Sequence, residues 1–409
     1  MHEQTIARRS WGIAAIAFVG GVGGGAVFPI LPVIGRDLGI SGFMIGLILS
    51  ANRITRLGFN PITGSLLDRF GARWPVTAGL VIEAAGTLMF SMALSASHPE
   101  AWFLAGRIVW GIGSSLLLVG ALAAIMAVAP AARRGGMTAR VRTAVSLGLP
   151  AGLVIGGLVA DRISVNAAFL TATGLSLVGA VGALFLLPDR ARIEQAPPTT
   201  RGRGSPRVQA WRELLAMPTL RIIFAANALL FFTVSGVLLA TVALLVDARG
   251  LYVFGLGAEG SSGLLMAVLM AARATSALAS GRYLDRSARR TGLLLPAMGL
   301  LAAGFVALGQ ARHPGMAALG LLVIGAGAGG LTIPMITLLG DIAPRPLHGR
   351  ALSIYQWSSD FGGALGPAAG LELGRWLGFG WTYAVMGVAV LSMAFPLRWL
   401  AAGEPKRPG

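Results

Sequence analysis

The chain has 409 residues, 55% of them hydrophobic and only 12% charged, with a mean hydropathy of +0.75. Soluble domains carry about 25% charged residues, so a water-soluble globular protein is excluded. The net charge of +17 does not indicate a nucleic-acid binder, because the basic residues fall in alternate loops rather than on one domain. The absence of cysteine excludes disulfides and thiolate metal sites.

A membrane-crossing helix needs about 20 apolar residues. Twelve such runs are predicted, at 11–34, 42–63, 75–96, 101–129, 142–160, 166–187, 219–245, 261–281, 291–310, 316–341, 351–374 and 380–400. The run from Trp11 is too long for a leader peptide and contains no small-residue cleavage site, so it is predicted as span 1. Span 1 holds Gly20, Gly21, Gly23, Gly24 and Gly25 and ends Phe28-Pro29-Ile30-Leu31-Pro32. Glycines permit close helix packing and the prolines weaken the outer end, so the run suits either tight packing or a gating bend.

Span 2 carries Arg53 and Arg56 and runs into the loop GSLLDRFGAR, with Gly64, Asp68, Arg69 and Arg73. Span 3 carries Glu83. Span 4 opens on Leu104, Arg107, Gly111 and Gly113, with Trp110 before the first glycine. Span 5 holds Gly148-Leu149-Pro150-Ala151-Gly152 and Gly156-Gly157, a small face for helix packing. Residues 188–218 form the one long polar segment. It is predicted as a cytoplasmic linker whose end, Val208 to Met217, is an interfacial helix with Trp211, Leu214 and Leu215 on one side.

The loop then recurs as GRYLDRSARR, with Gly281, Asp285, Arg286 and Arg290. The two copies are 217 residues apart, and the same offset links Arg56 to Arg273 and Pro150 to Pro367. The repeat therefore covers half the chain each time, giving an N-terminal half at 1–187 and a C-terminal half at 219–409. Span 10 contains Gly325-Ala-Gly327-Ala-Gly329-Gly330, which fits G-x-G-x-x-G. No strand-turn-helix surrounds it, so a nucleotide site is rejected. Span 11 contains Gly362, Gly366, Pro367 and Gly370, again a small face. Most of the Lys and Arg fall on the N-terminal side of the alternation, which places both termini in the cytoplasm.

The repeated G-x-x-x-D-R-x-G-R-[KR] loop between spans 2 and 3 and between spans 8 and 9 resembles the signature of the major facilitator superfamily. Ala288 stands where the second copy of the pattern has Gly. The span-4 run resembles the family's arginine motif, and the span-1 ending resembles the 12-span drug and metabolite exporters of the drug:proton antiporter type. The resemblance implies an all-α fold of two pseudo-symmetric six-helix halves working by alternating access. It also implies that Arg107 takes part in proton coupling, with Trp110 replacing the family's polar residue. The repeated loops, joined by Asp341, would act as a conformational lock.

Charges within spans cost several kcal/mol and so pair, face the interior or do work. The candidates are Arg53, Arg56, Glu83, Arg107, Arg273 and Asp360, with the polar Asn227 and Gln356. Arg56 and Arg273 are each roughly 12 Å from the cytoplasmic end. Two readings stand for them: contact with an anionic or zwitterionic substrate, or internal pairing, Arg56 with Glu83 and Arg273 with Asp360 or helix carbonyls. Glu83 is expected to neutralise Arg53 or Arg56, leaving Asp360 as the proton-site candidate. His2, His98, His313 and His348 lie in loops or at the terminus, so no histidine relay or metal site is expected.

The expected function is proton-driven export of a small amphipathic anion or zwitterion by a monomer in the inner membrane. The proton gradient is the energy source, with no cofactor, no nucleic-acid partner and no enzymatic constellation. Proton-coupled uptake of an organic anion, or a non-transporting assembly or sensing role, are the alternatives.

Overall fold

The computed structural model of the protein describes residues 2–130, 134–187, 207–286 and 291–402. Among these residues every regular element is helical. The helices are α1 (His2–Asp37), α2 (Gly42–Phe70), α3 (Arg73–Ala93), α4 (Pro99–Val128), α5 (Arg134–Arg162), α6 (Val165–Leu186) and α7 (Arg207–Ala216). They continue as α8 (Pro218–Leu230), a π-helix (Phe231–Leu238), α9 (Leu239–Ala248), α10 (Ala258–Arg286), α11 (Leu294–Gly309), α12 (Pro314–Ile342), α13 (His348–Ser392) and α14 (Ala394–Ala402).

Local chemistry sets the helix ends. Ser41 caps α2 by accepting from the Met44 N–H, and Ser164 caps α6 by accepting from the Ala167 N–H. Pro99 starts α4, where a missing N–H costs nothing. Gly71 ends α2 with φ of 72°, a backbone conformation that favours glycine.

Several helices outrun their apolar runs. α1 starts well before Trp11 and passes through Pro29 and Pro32 to Asp37, so the prolines do not end it. The predicted spans 11 and 12 appear as one helical stretch, α13, divided at Gly378, whose φ is 75°. Nine stretches among the described residues are long and apolar enough to cross a membrane. α11 is shorter than these, and α13 with its continuation to Arg398 contains two runs. α2 is interrupted by Arg53, Arg56, Asp68 and Arg69.

The chain forms two compact units. The first comprises Met1–Arg201 with Gly255–Leu264, and the second comprises Gly202–Phe254 with Leu265–Gly409. Of the linker predicted at 188–218, residues 188–206 lie outside the described residues. Its end is α7, held within the second unit by fully buried Leu214 and by Trp211 edge-on to Trp357. Leu215, predicted to share that face, is 40% exposed.

In the first unit, glycines set the helix contacts. A Cβ at Gly21 would lie 2.9 Å from Gly148 Cα, and one at Gly152 would lie 2.0 Å from the Val22 carbonyl, so α1 and α5 touch backbone to backbone. Gly79 and Gly113 bring α3 and α4 together in the same way. Phe90, Phe103 and Phe169 cluster with centroids 5.6–6.2 Å apart and join α3, α4 and α6. The Gly255–Leu264 segment packs on the end of α5, where Asp161 Oδ1 accepts from the Gly257 N–H at 2.6 Å.

In the second unit, Gly362, Gly366 and Gly370 pack α13 onto α8 and the π-helix; a Cβ at Gly366 would lie 2.5 Å from Gly236 Cα. The glycine run of α12 is a two-sided packing strip. Gly325 and Gly329 meet α10 on either side of Arg273, and Gly327 meets α11 at Ala297 and Leu301. Phe185, Val178, Leu278 and Phe395 are each more than 65% exposed, as suits faces turned to lipid rather than water.

Candidate functional site

Each unit contains a polar group built into its packed interior. In the first unit it centres on Arg107, which has no exposed surface. The arginine crosses from α4 to α2. Its Nε donates to the Ile48 carbonyl at 3.3 Å, and its Nη2 donates to the Leu49 carbonyl at 3.2 Å and to Asn52 Oδ1 at 3.1 Å. Phe28 and Trp110 flank the guanidinium with ring centroids 5.9 and 5.6 Å away. Gly111 allows this approach, because a Cβ there would meet Asn52 at 2.9 Å. Trp110, which stands in the place of a polar partner, thus contributes its ring face instead. Nη1 of Arg107 has no hydrogen-bond partner. Arg53 and Arg56 lie within electrostatic reach of Arg107.

Glu83 corrects the sequence expectation. It neither neutralises Arg53 nor pairs with Arg56: it is fully buried, and neither carboxylate oxygen has a hydrogen-bond partner. The physical reason is direction. The side chain points along the seam of α3 with α1 and α4, toward Gly20 and Gly113, whereas Arg53 and Arg56 sit on α2 beside Arg107.

In the second unit Asn227 (α8), Phe231 (π-helix), Arg273 (α10) and Tyr355 (α13) come together, and Gln356 and Asp360 follow Tyr355 on α13. Asn227 Nδ2 faces the Tyr355 carbonyl at 2.8 Å, Ser358 Oγ at 2.9 Å and Ser359 Oγ at 2.7 Å, which ties α8 to α13. Its Oδ1 has no partner. The Arg273 guanidinium lies 5.1 Å from the Phe231 ring centroid and within electrostatic reach of Tyr355. The Tyr355 hydroxyl is buried and has no hydrogen-bond partner. Asp360 is buried and accepts from Gln356 Nε2 at 3.4 Å. Arg273 makes no salt bridge among the described residues, so its expected pairing with Asp360 does not form.

Phe231 and the π-helix carry no sequence signal. Phe231 opens the π-helix with its ring by Arg273, Gly236 within the π-helix meets Gly366, and such segments recur at functional sites. Tyr355, one of several polar residues in the stretch ALSIYQWSSD, had no signal of its own in the sequence.

The repeated loops lie at helix ends. Asp68 is exposed at the end of α2 and makes no salt bridge among the described residues. Arg69 stacks on Phe70 at 5.1 Å, and Arg73 opens α3 beside Trp74. Gly281, Arg286 and Asp341 lie at the corresponding ends of α10 and α12, the last two exposed. The Asp285 side chain and Arg290 lie outside the described residues. A Cβ at Gly64 or Gly281 would meet nothing within 4 Å. Gly64→Ala and Gly281→Ala are therefore expected to leave the melting temperature unchanged, or to raise stability by up to about 1 kcal/mol. A fall in melting temperature would show that these glycines are packed.

Chains of known fold share this architecture. A mutant of the nucleoside transporter NupG superposes with a TM-score of 0.79 at 13% identity, covering 96% of this chain and 99% of that one. A bacterial homolog to the human lysosomal transporter Spinster, inward-facing and occupied, gives 0.75 at 16% identity, covering 96% of each. Among curated proteins, Multidrug resistance protein 2 of Bacillus subtilis (strain 168) is 26% identical over 178 residues, 44% of this chain and 43% of that protein. Quinolone resistance protein NorA of Staphylococcus aureus (strain Mu50 / ATCC 700699) is 24% identical over 168 residues, 41% and 42% of the two chains. The matched stretch thus spans less than half the length of these relatives. The family model described as Major Facilitator Superfamily matches residues 13–260 and 252–409. With this match over nearly all of its length, the all-helical, multi-pass membrane chain belongs to the Major Facilitator Superfamily, a family of transporters and not of enzymes.

Proposed function

We propose that the protein is a secondary active transporter that exports a small amphipathic anion or zwitterion by alternating access, driven by protons. One observation carries the substrate class: Arg273, half-buried and without a salt bridge among the described residues, lies beside the Phe231 ring and the Tyr355 phenol. A guanidinium recognises a carboxylate or phosphate with a planar fork of donors. The adjoining aromatic rings suit the apolar body of the same molecule. The resistance proteins to which the chain is similar support efflux rather than uptake. The buried carboxyl of Asp360 supports proton coupling, and the loop charges support an inner-membrane location with both termini cytoplasmic.

The test is proton movement in proteoliposomes on addition of anionic, zwitterionic and cationic amphiphiles, with Asp360→Asn in parallel. Anions and zwitterions are expected to move protons, and Asp360→Asn is expected to lose the signal. Responses to cations alone would overturn the substrate class. An Asp360→Asn signal equal to wild type would remove Asp360 from the coupling.

A further inference from the structure

The first unit contains a second buried carboxyl, and its surroundings define what can bind there. Glu83 stands against the glycine stripe of α1. A Cβ at Gly20 would lie 3.3 Å from Glu83 Oε2, and one at Gly113 would lie 2.8 Å from Glu83 Cγ. The space is closed to anything of side-chain size, since the Gly20 Cβ would also lie 1.8 Å from Leu117 Cδ2. Both oxygens of Glu83 are without partners.

One turn further along the same stripe, a Cβ at Gly23 would lie 3.6 Å from Trp110 Nε1 and 3.7 Å from Ser176 Oγ. Both of those atoms are also buried and without partners. Four orphaned polar atoms on α3, α4 and α6 therefore border one face of α1. Native interiors leave few such groups, and each calls for an explanation.

We propose that Glu83 is a proton-binding site of the first unit, loaded when the glycine stripe of α1 closes on it and emptied when α1 moves away. The proposal rests on the proton-coupled reading above and adds a site to it. A carboxylate anion in an apolar interior needs donors or a counter-charge. The closed packing offers Glu83 neither, and a proton is the one ligand that adds no volume. Proton uptake converts the carboxylate to the neutral acid, and release restores the anion once α1 has moved and water, Trp110 Nε1 or Ser176 Oγ can reach it.

Among the described residues no titratable group hydrogen-bonds to Glu83: on α2, Arg53 and Arg56 lie within electrostatic reach of Arg107, and Asp68 and Arg69 are exposed at the helix end. α6 carries no charged residue. The charges of α1 lie toward its ends, up to Arg9 and from Arg36 onward. On α4, Arg107 is turned to α2, and Glu100 lies in the first turn. On α3 the other charge is Arg73, at its start.

The test uses the full-length protein in lipid bilayers and reads the carboxylic acid C=O band by infrared difference spectroscopy during a pH titration. Wild type is expected to show a protonated-carboxyl band that Glu83→Gln lacks. In proteoliposomes, Glu83→Gln is expected to lose accumulation driven by an imposed pH gradient. Glu83→Asp is expected to keep accumulation with a shifted pH dependence. A Glu83→Gln spectrum that loses no component of the wild-type band beside that of Asp360, or Glu83→Gln accumulation with an unaltered pH profile, would overturn the proposal. If Glu83→Gln fails to accumulate in membranes, the wild-type and Glu83→Asp bands decide: a titrating band that does not move between them also overturns it. Wild type that moves no protons with any probe sinks the transport reading, while the infrared band still decides Glu83.

Discussion

Arg273→Met is expected to cut kcat/KM for an anionic amphiphile by roughly thirtyfold, the equivalent of about 2 kcal/mol for one lost charge-assisted contact. Thermal stability is expected to stay close to wild type. Arg273 is half-buried, makes no salt bridge among the described residues, and rests on a ring face that Met can also cover. Arg273→Lys should fall between the two, since it keeps the charge and loses the planar fork. For a cationic probe the Met variant should be unimpaired. Unchanged kinetics with the anion would remove Arg273 from substrate contact. A collapse in melting temperature would make it a structural residue.

Gly362→Ala is expected to destabilise the folded protein by about 2–4 kcal/mol, although it adds a single methyl group. The added Cβ would lie 2.0 Å from the Ala228 carbonyl oxygen and 2.8 Å from its carbon. Both are backbone atoms of α8, so no side-chain rotation relieves the overlap and the helices must separate. That separation would also pull on the neighbouring Asn227, whose amide faces Tyr355, Ser358 and Ser359. Thermal unfolding in detergent measures the loss, with Gly281→Ala as the packed-free control. A melting temperature equal to wild type would show that α13 can shift without cost and that the seam is not rigid.

Two of the expectations raised by the sequence have different fates for one physical reason. The G-x-G-x-x-G run of span 10 was legible as part of a membrane span and not a nucleotide site, because the lack of a flanking strand-turn-helix is a local property, as is the placing of its small residues on two helix faces. The structure then shows which neighbours those faces meet, α10 and α11. The partner of Glu83 was not legible. A charge in a span must be accounted for, but which helix seam it enters depends on rotation about the helix axis and on distant glycines such as Gly20 and Gly113. Arg53 and Arg56, the partners expected for Glu83, lie on α2 within electrostatic reach of Arg107 instead.

The sequence by itself determined the class of the molecule. Apolar runs long enough to cross a bilayer, the repeated loop at an offset of 217 and the alternation of basic loops are written residue by residue. They needed no contact between distant residues to be read. It also determined which polar residues are costly enough to matter. The tertiary structure alone decided where those residues stand: that Arg107 is bound by α2 carbonyls, that Arg273 lies by the Phe231 ring at the start of a π-helix, and that Glu83 stands unpartnered against α1. Each of these is a relation between helices, fixed by how closely their glycines let the backbones approach.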